Sequence, residues 1–216
     1  MEGHSLRETI IGIVQVKLSD AESGHDWSHI DRVHKMSLQI ARTELIVDVD
    51  VIEYAALLHD IADAKFHNGD ESIGPTLARE ILEKLGIAKD KVDHTVDIIE
   101  NMSFKGGHAF SDFASKELDI VRDADRLDAL GAVGIARAFS YGGFKGRKMY
   151  DLDIPPLLNM SREDYKKNQG TTINHFYEKL LLLKDKMKTK EGKRVAEERH
   201  RFLELFLKQF LIEINS

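Results

Sequence analysis

The stretch Asp50-Val-Ile-Glu-Tyr-Ala-Ala-Leu-Leu-His-Asp-Ile61 decides how the rest of the chain is read. Asp50 and Glu53 stand at the spacing of a capping box. Tyr54, Ala55, Leu57, Leu58 and Ile61 then follow with helical rather than alternating periodicity. A helix burying that face runs straight into His59 and Asp60. A carboxylate at the end of a core-facing turn is costly to bury unless a cation compensates it. A divalent ion, with the neighbouring imidazole as a second ligand, would supply that cation. A His-Asp pair facing solvent at a helix end explains the segment equally well.

Helical signals continue on both sides. Ser5 with Glu8 reads as a capping box ahead of Ile10, Ile11, Ile13, Val14 and Val16. A second helix is expected from Ser28 to Glu44, with Ile30, Val33, Ser37, Ile40 and Ala41 on one face. The segment Gly74 to Leu85 is helical and stops at Gly86, a left-handed terminator. Asp90 caps a helix through Val92, Val96, Ile98 and Ile99, and Ser115 opens a long one that ends near Tyr141-Gly142-Gly143. From Phe144 to Gly170 the periodicity lapses, and prolines, glycines and basic residues indicate a loop. Two amphipathic helices close the chain, Thr172 to Lys188 and Gly192 to Ile214. No strand pair and no solenoid repeat is visible. The expected fold class is all-α, an irregular helical bundle. One domain over 1–216 is expected, with 172–216 a C-terminal helical extension packed on it.

Composition narrows the function classes. The 216 residues carry 37 acidic against 31 basic side chains, a formal charge of −6 that opposes binding to duplex nucleic acid. A local basic pocket for a small phosphorylated ligand remains compatible with that balance. Cysteine is absent, so disulfides and thiolate ligands are excluded. Residues 1–20 lack the apolar core of a signal peptide, and no run approaches the ~20 apolar residues that span a bilayer. A cytoplasmic protein without a membrane partner is expected by default. The C-terminal helices suit either self-association into a homo-oligomer or folding back on the core.

Two further segments match His59-Asp60. In Gly24-His-Asp-Trp-Ser-His29 the last histidine opens a helix, and Arg32 follows one turn on. In Arg122-Asp-Ala-Asp-Arg-Leu-Asp128, Asp125 and Asp128 share a face whereas Asp123 points elsewhere. Alone, His29 reads as a surface residue, and Arg122 or Arg126 could neutralise any one carboxylate. Together the three segments resemble the HD-domain phosphohydrolase superfamily, whose ligands follow this order on separate helices. Leu57 to Glu71, Met102 to Gly107, Asp123 to Arg137 and Thr172 to Leu181 are similar to the small stand-alone bacterial members. The likeness covers nearly the whole chain, and an HD-type bundle is the fold it implies.

That resemblance implies a metal set of His29, His59, Asp60 and Asp125, the last chosen over Asp123 because it occupies the Asp of the Ala-Asp-Arg-Leu pattern. It also implies action on phosphate esters or anhydrides, with a nucleotide as substrate, releasing either pyrophosphate from a triphosphate or phosphate from a monophosphate. No Gly-Tyr-Pro motif is present, which disfavours the subgroup that opens cyclic dinucleotides. Two imidazoles with two carboxylates make a hard site suited to one divalent ion, with manganese preferred over magnesium, iron, cobalt or nickel. Asp63, one turn beyond Asp60, is expected to act as general base or to orient the attacking water. Arg32 and Lys65 are expected to meet phosphoryl charge. Lys105, Arg137, Lys145 and His67 are substrate-binding candidates, with Arg147 beside them. His94 offers a ligand for a second ion, or simply a polar helix position. Phe104, Phe139, Tyr141 and Phe144 fit base stacking or packing equally. His175 and His200 are read as structural or exposed. A metal- or nucleotide-binding sensor without catalysis is the alternative function.

Overall fold

In a computed structural model, the chain is described over residues 2–19, 26–62, 70, 72–102, 113–161, 164 and 168–215, with side chains of the first helix from residue 6. Nine α-helices and no strand are found among the described residues. They are α1 (Glu2–Lys17), α2 (Trp27–Ala41), α3 (Val49–Leu58), α4 (Ile73–Lys84), α5 (Lys89–Met102), α6 (Lys116–Asp128), α7 (Gly131–Phe144), α8 (Thr172–Glu178) and α9 (Lys190–Ile214). The all-α expectation holds. None of these helices is long and apolar enough to cross a membrane.

The chain falls into two compact units, residues 1–124 and 125–216. Their charges differ in sign. The first carries 24 Asp and Glu against 13 Lys and Arg, a formal −11, and the second 13 against 18, a formal +5.

In the first unit α3 is the hub, packed against α1, α2 and α5, while α4 pairs with α5. Its helix starts at the Asp48 cap rather than at Asp50, because the Asp48 carboxylate accepts the Asp50 and Val51 N–H groups. Ile10, Val14, Ile30, Leu57, Leu58, Leu82 and Val92 form one contiguous core around it. Gly86, at φ 73°, ends α4 as its position suggests.

A polar tie joins three of these helices. Glu53 on α3 accepts from His34 of α2 at 3.1 Å and from Arg7 of α1 at 3.4 Å. The His34 hydrogen bond, with the charges of His34 and Arg7, holds the Glu53 carboxyl below the ordinary 4.5 against the opposing effect of burial. A folded-state value below the unfolded one contributes stability that is complete above 4.5 and vanishes as pH falls through the lowered value. Urea midpoints of wild type and Glu53→Gln should therefore differ near neutrality and converge on acidification. A gap that stayed constant or widened in acid would refute the tie.

In the second unit α9 packs on α7 and on a 3₁₀ turn at Lys184–Lys186, and α7 packs on α8. Its core includes an aromatic cluster in which Phe139 meets Phe176, Phe206 and Phe210, and Phe206 meets Phe176 and Phe210, at 5.7–6.1 Å between ring centroids. Phe139 is thus a packing residue. The single helix expected from Ser115 to Gly143 is two, broken at Gly131, whose φ of 71° is left-handed. The helix expected over Thr172–Lys188 ends at Glu178 and gives way to 3₁₀ turns at Leu180–Leu182 and Lys184–Lys186.

Candidate metal centre

Three helix ends present the donor groups. Asp26 caps α2 by accepting the His29 N–H at 3.0 Å, which fixes His29 in the first turn, and its side chain is only 1% exposed. The Asp-x-x-His spacing carried that signal in the sequence. On α3 the apolar run Tyr54–Leu58 is buried, so the chain enters the core and delivers His59 at the helix C-cap, its side chain 3% exposed. On α6, Ile120, Val121, Ala124 and Leu127 form the buried stripe, and Asp125 stands beside it, half-buried. The helix begins in the first unit, so Asp125 is carried on the same continuous helix as Ala124.

The atoms are close together. One ligand atom each from His29, His59 and Asp125 lies within 4.8 Å of the others. Asp60 Oδ2 is 3.6 Å from His29 Nε2 and 3.8 Å from His59 Nε2. The two imidazoles meet edge to face, with centroids 5.4 Å apart. Ligand atoms about 2.1 Å from an octahedral ion stand about 3 Å apart on adjacent corners and about 4.2 Å apart on opposite ones. The spacings among His29, His59 and Asp125, and from Asp60 to the two imidazoles, need only a small contraction to match, while Asp60 falls outside the group that those three form.

The tautomer of His59 tests the fit. Its Nδ1 lies 2.9 Å from the carbonyl oxygen of Ala56. A carbonyl can only accept, so Nδ1 carries a proton, and in the neutral ring Nε2 presents a lone pair. That Nε2 is buried and has no hydrogen-bond partner among the described residues. An orphaned, correctly oriented imidazole nitrogen beside two carboxylates and a second imidazole is the donor set that a divalent ion takes. Sequence reasoning did not anticipate the Ala56 carbonyl, because a backbone acceptor leaves no trace in residue identity.

Other candidates fall elsewhere. Asp123 is fully buried, and the carboxylate grouped with the two histidines is that of Asp125. Arg32 is half-buried on α2, one turn beyond His29. Arg137 donates to Asp128 at 2.6 Å, an ion pair within the second unit. Lys145 lies over the rings of Tyr141 and Phe144. His94 is within 3.1 Å of Ser115 Oγ and 3.6 Å of Glu117, so its ring already has polar neighbours. His200 is buried, with Glu204 at 3.5 Å. Asp63, Lys65, His67, Phe104 and Lys105 lie outside the described residues.

Comparison with known proteins shows the family of the chain. The HD domain family matches residues 26–130, a range that includes His29, His59, Asp60 and Asp125. Uncharacterized protein YpgQ of Bacillus subtilis is 38% identical over 200 residues, covering 91% of this chain and 87% of its own. A crystal structure of an HD-superfamily hydrolase from Bacillus thuringiensis is 44% identical, with a TM-score of 0.77 over the full length of both chains. The crystal structure of B. subtilis YpgQ in complex with ADP gives a TM-score of 0.78 over 99% of this chain and 97% of that one. Identity in that superposition is 34%. With its fold, its His/His-Asp/Asp order and these relatives in agreement, the chain belongs to the HD-domain superfamily.

Proposed function

We propose that this chain is a metal-dependent phosphohydrolase that cleaves a phosphate ester or anhydride of a nucleotide. The observation that carries the reading is the buried Nε2 of His59, without a hydrogen-bond partner among the described residues and close to His29, Asp60 and Asp125. The B. thuringiensis relative is an HD-superfamily hydrolase, and YpgQ has been crystallised with ADP; both support the reading.

His29, His59, Asp60 and Asp125 would hold one divalent ion, with manganese preferred. A bound ion of this kind supplies a Lewis acid and an acidified water. Asp63 would orient the attacking water or take its proton, and Arg32 and Lys65 would offset charge that grows on the phosphoryl oxygens. Lys105, His67 and Lys145 contact more distant parts of the substrate. Arg137 acts indirectly, through Asp128. The bond cleaved is either the one that frees pyrophosphate from a triphosphate or the one that frees phosphate from a monophosphate.

Purified protein loaded with manganese and assayed on a panel of nucleoside mono-, di- and triphosphates should release phosphate or pyrophosphate, and chelation should stop release. Metal and nucleotide binding without any release would instead identify a sensor. Neither binding nor release would remove both readings.

A further inference from the structure

The α2–α3 pair is closed at one end by the turn over residues 42–48 and carries donor groups at the other, His29 in the first turn of α2 and His59 at the C-cap of α3. The turn is sharply bent. Ile46 has φ 58°, a left-handed conformation that is an outlier for a β-branched residue. Its side chain is 95% exposed, so packing does not compensate the bend. A conformation of this kind persists where the surrounding bonds over-determine it.

Those bonds come from the first turn of α6. Lys116 Nζ donates to the Leu45 carbonyl at 2.7 Å, and Glu117 Oε1 accepts the Asp48 N–H at 3.0 Å. Two consecutive residues of opposite charge thus grip the backbone on either side of Ile46. Lys116 is exposed, whereas Glu117 is buried, with His94 Nε2 3.6 Å from its other oxygen. An acidic residue in a first helical turn complements the helix dipole without being buried, and burying it is costly. The dipole therefore does not account for the placement of Glu117.

The grip acts over a distance. Asp48 is the N-cap of α3, and His59 stands about three turns beyond it; Asp125 stands about two turns beyond Glu117 on the continuous helix α6. The two helices meet at their starts through Glu117 and again at the donor groups, where His59 and Asp125 offer atoms within 4.8 Å of each other. Helices joined at both places run side by side in the same direction. A shift at the start of α6 is passed to its later turns, because the helix backbone is bonded throughout. An ion that demands near-octahedral geometry tolerates little of that shift.

We propose that Glu117 is a positioning residue for the metal centre: with Lys116 it fixes the start of α6 on the α2–α3 turn and so sets where Asp125 meets His29 and His59. This role rests on the metal-dependent reading above, and Glu117 acts through the helix rather than on the ion.

Manganese titrations followed by electron paramagnetic resonance, on full chains well below their thermal midpoints, test it. Glu117→Ala should weaken manganese binding by about tenfold to a hundredfold, the range of a partner that orients a ligand. Glu117→Gln keeps an oxygen for the Asp48 N–H and should stay within about threefold of wild type. Val14→Ala, a core truncation on α1, should lower the midpoint and leave manganese affinity at the wild-type value. Lys116→Met, at an exposed position, removes the other half of the grip and serves if Glu117→Ala does not fold, with a loss of about threefold or more expected. Wild-type affinity in Glu117→Ala, or in Lys116→Met where it stands in, overturns the role. So do equal losses in Glu117→Ala and Glu117→Gln, or as large a loss in Val14→Ala. A wild type that takes up no manganese removes the metal reading and the role with it, whereas a wild type that binds no better than Glu117→Ala removes the role alone.

Discussion

Asp125→Asn should strip the divalent ion from the protein and stop hydrolysis while leaving the helices folded, and Asp123→Asn should do the opposite. The two carboxylates are separated by one residue on α6, yet their surroundings differ. Asp125 is half-buried and offers an oxygen within 4.8 Å of the His29 and His59 nitrogens, whereas Asp123 is 0% exposed. An amide keeps the shape of the carboxylate and loses its charge, so the substitution isolates the electrostatic part of ligation. Removing a partner that merely orients a ligand costs 10–100-fold in metal affinity. Removing a ligand should exceed that, on the order of 10³-fold or about 4 kcal/mol. Asp123→Asn should retain the ion and lower the denaturation midpoint, because a fully buried site built around a carboxylate would hold an amide. Elemental analysis and manganese titration of both variants decide the matter. Full metal content in Asp125→Asn, with loss in Asp123→Asn, would transfer the role to the other residue. His59→Gln is a parallel arm, expected to lose the ion as well.

The parts of this molecule legible in the sequence are those governed by neighbours in the sequence. Helices α2, α3 and α4 follow their apolar stripes, and Gly86 ends α4 where a left-handed residue is needed. What could not be read was decided by distant groups. Asp48 outcompetes Asp50 as the cap of α3 in part because its own N–H is taken by Glu117, 69 residues away. The break between α6 and α7 falls in Ala129-Leu130-Gly131-Ala132, a segment of good helix formers in which one glycine is tolerable. Arg199 settles it from α9, donating to the Leu127 carbonyl at 2.6 Å while its stem packs on Gly131, where a Cβ would come within 3.1 Å. The tail behaves likewise. Leu180 and Leu183 are 3% and 6% exposed, whereas Leu182 is 46% exposed, the three-residue spacing of a 3₁₀ turn rather than a continued α-helix. At the centre, residue order pointed to the donors, but the tautomer of His59 depends on a carbonyl one turn back.

Arg137→Ala should destabilise the protein by about 3 kcal/mol and weaken the metal centre without touching it. Asp128 is 4% exposed, and its Oδ2 accepts from Arg137 at 2.6 Å. Truncating the arginine leaves a buried carboxylate without that partner, which costs far more than the net worth of the pair. Asp128 lies one turn from Asp125 on α6, at the end of the helix that Arg199 also holds. Loosening this end lets the turn bearing Asp125 move, so manganese affinity should fall within the 10–100-fold range of an indirect partner. A phosphate-binding arginine would behave differently, raising KM while the denaturation midpoint and metal affinity stayed at wild-type values. The double variant Asp128→Asn, Arg137→Ala, set beside each of its two single variants, separates these cases. It removes the unpaired charge, so it should recover much of the stability lost by Arg137→Ala, a coupling that a double-mutant cycle measures. If both single variants and the double lose stability additively, the pair is not coupled, and Arg137 belongs with the substrate contacts after all.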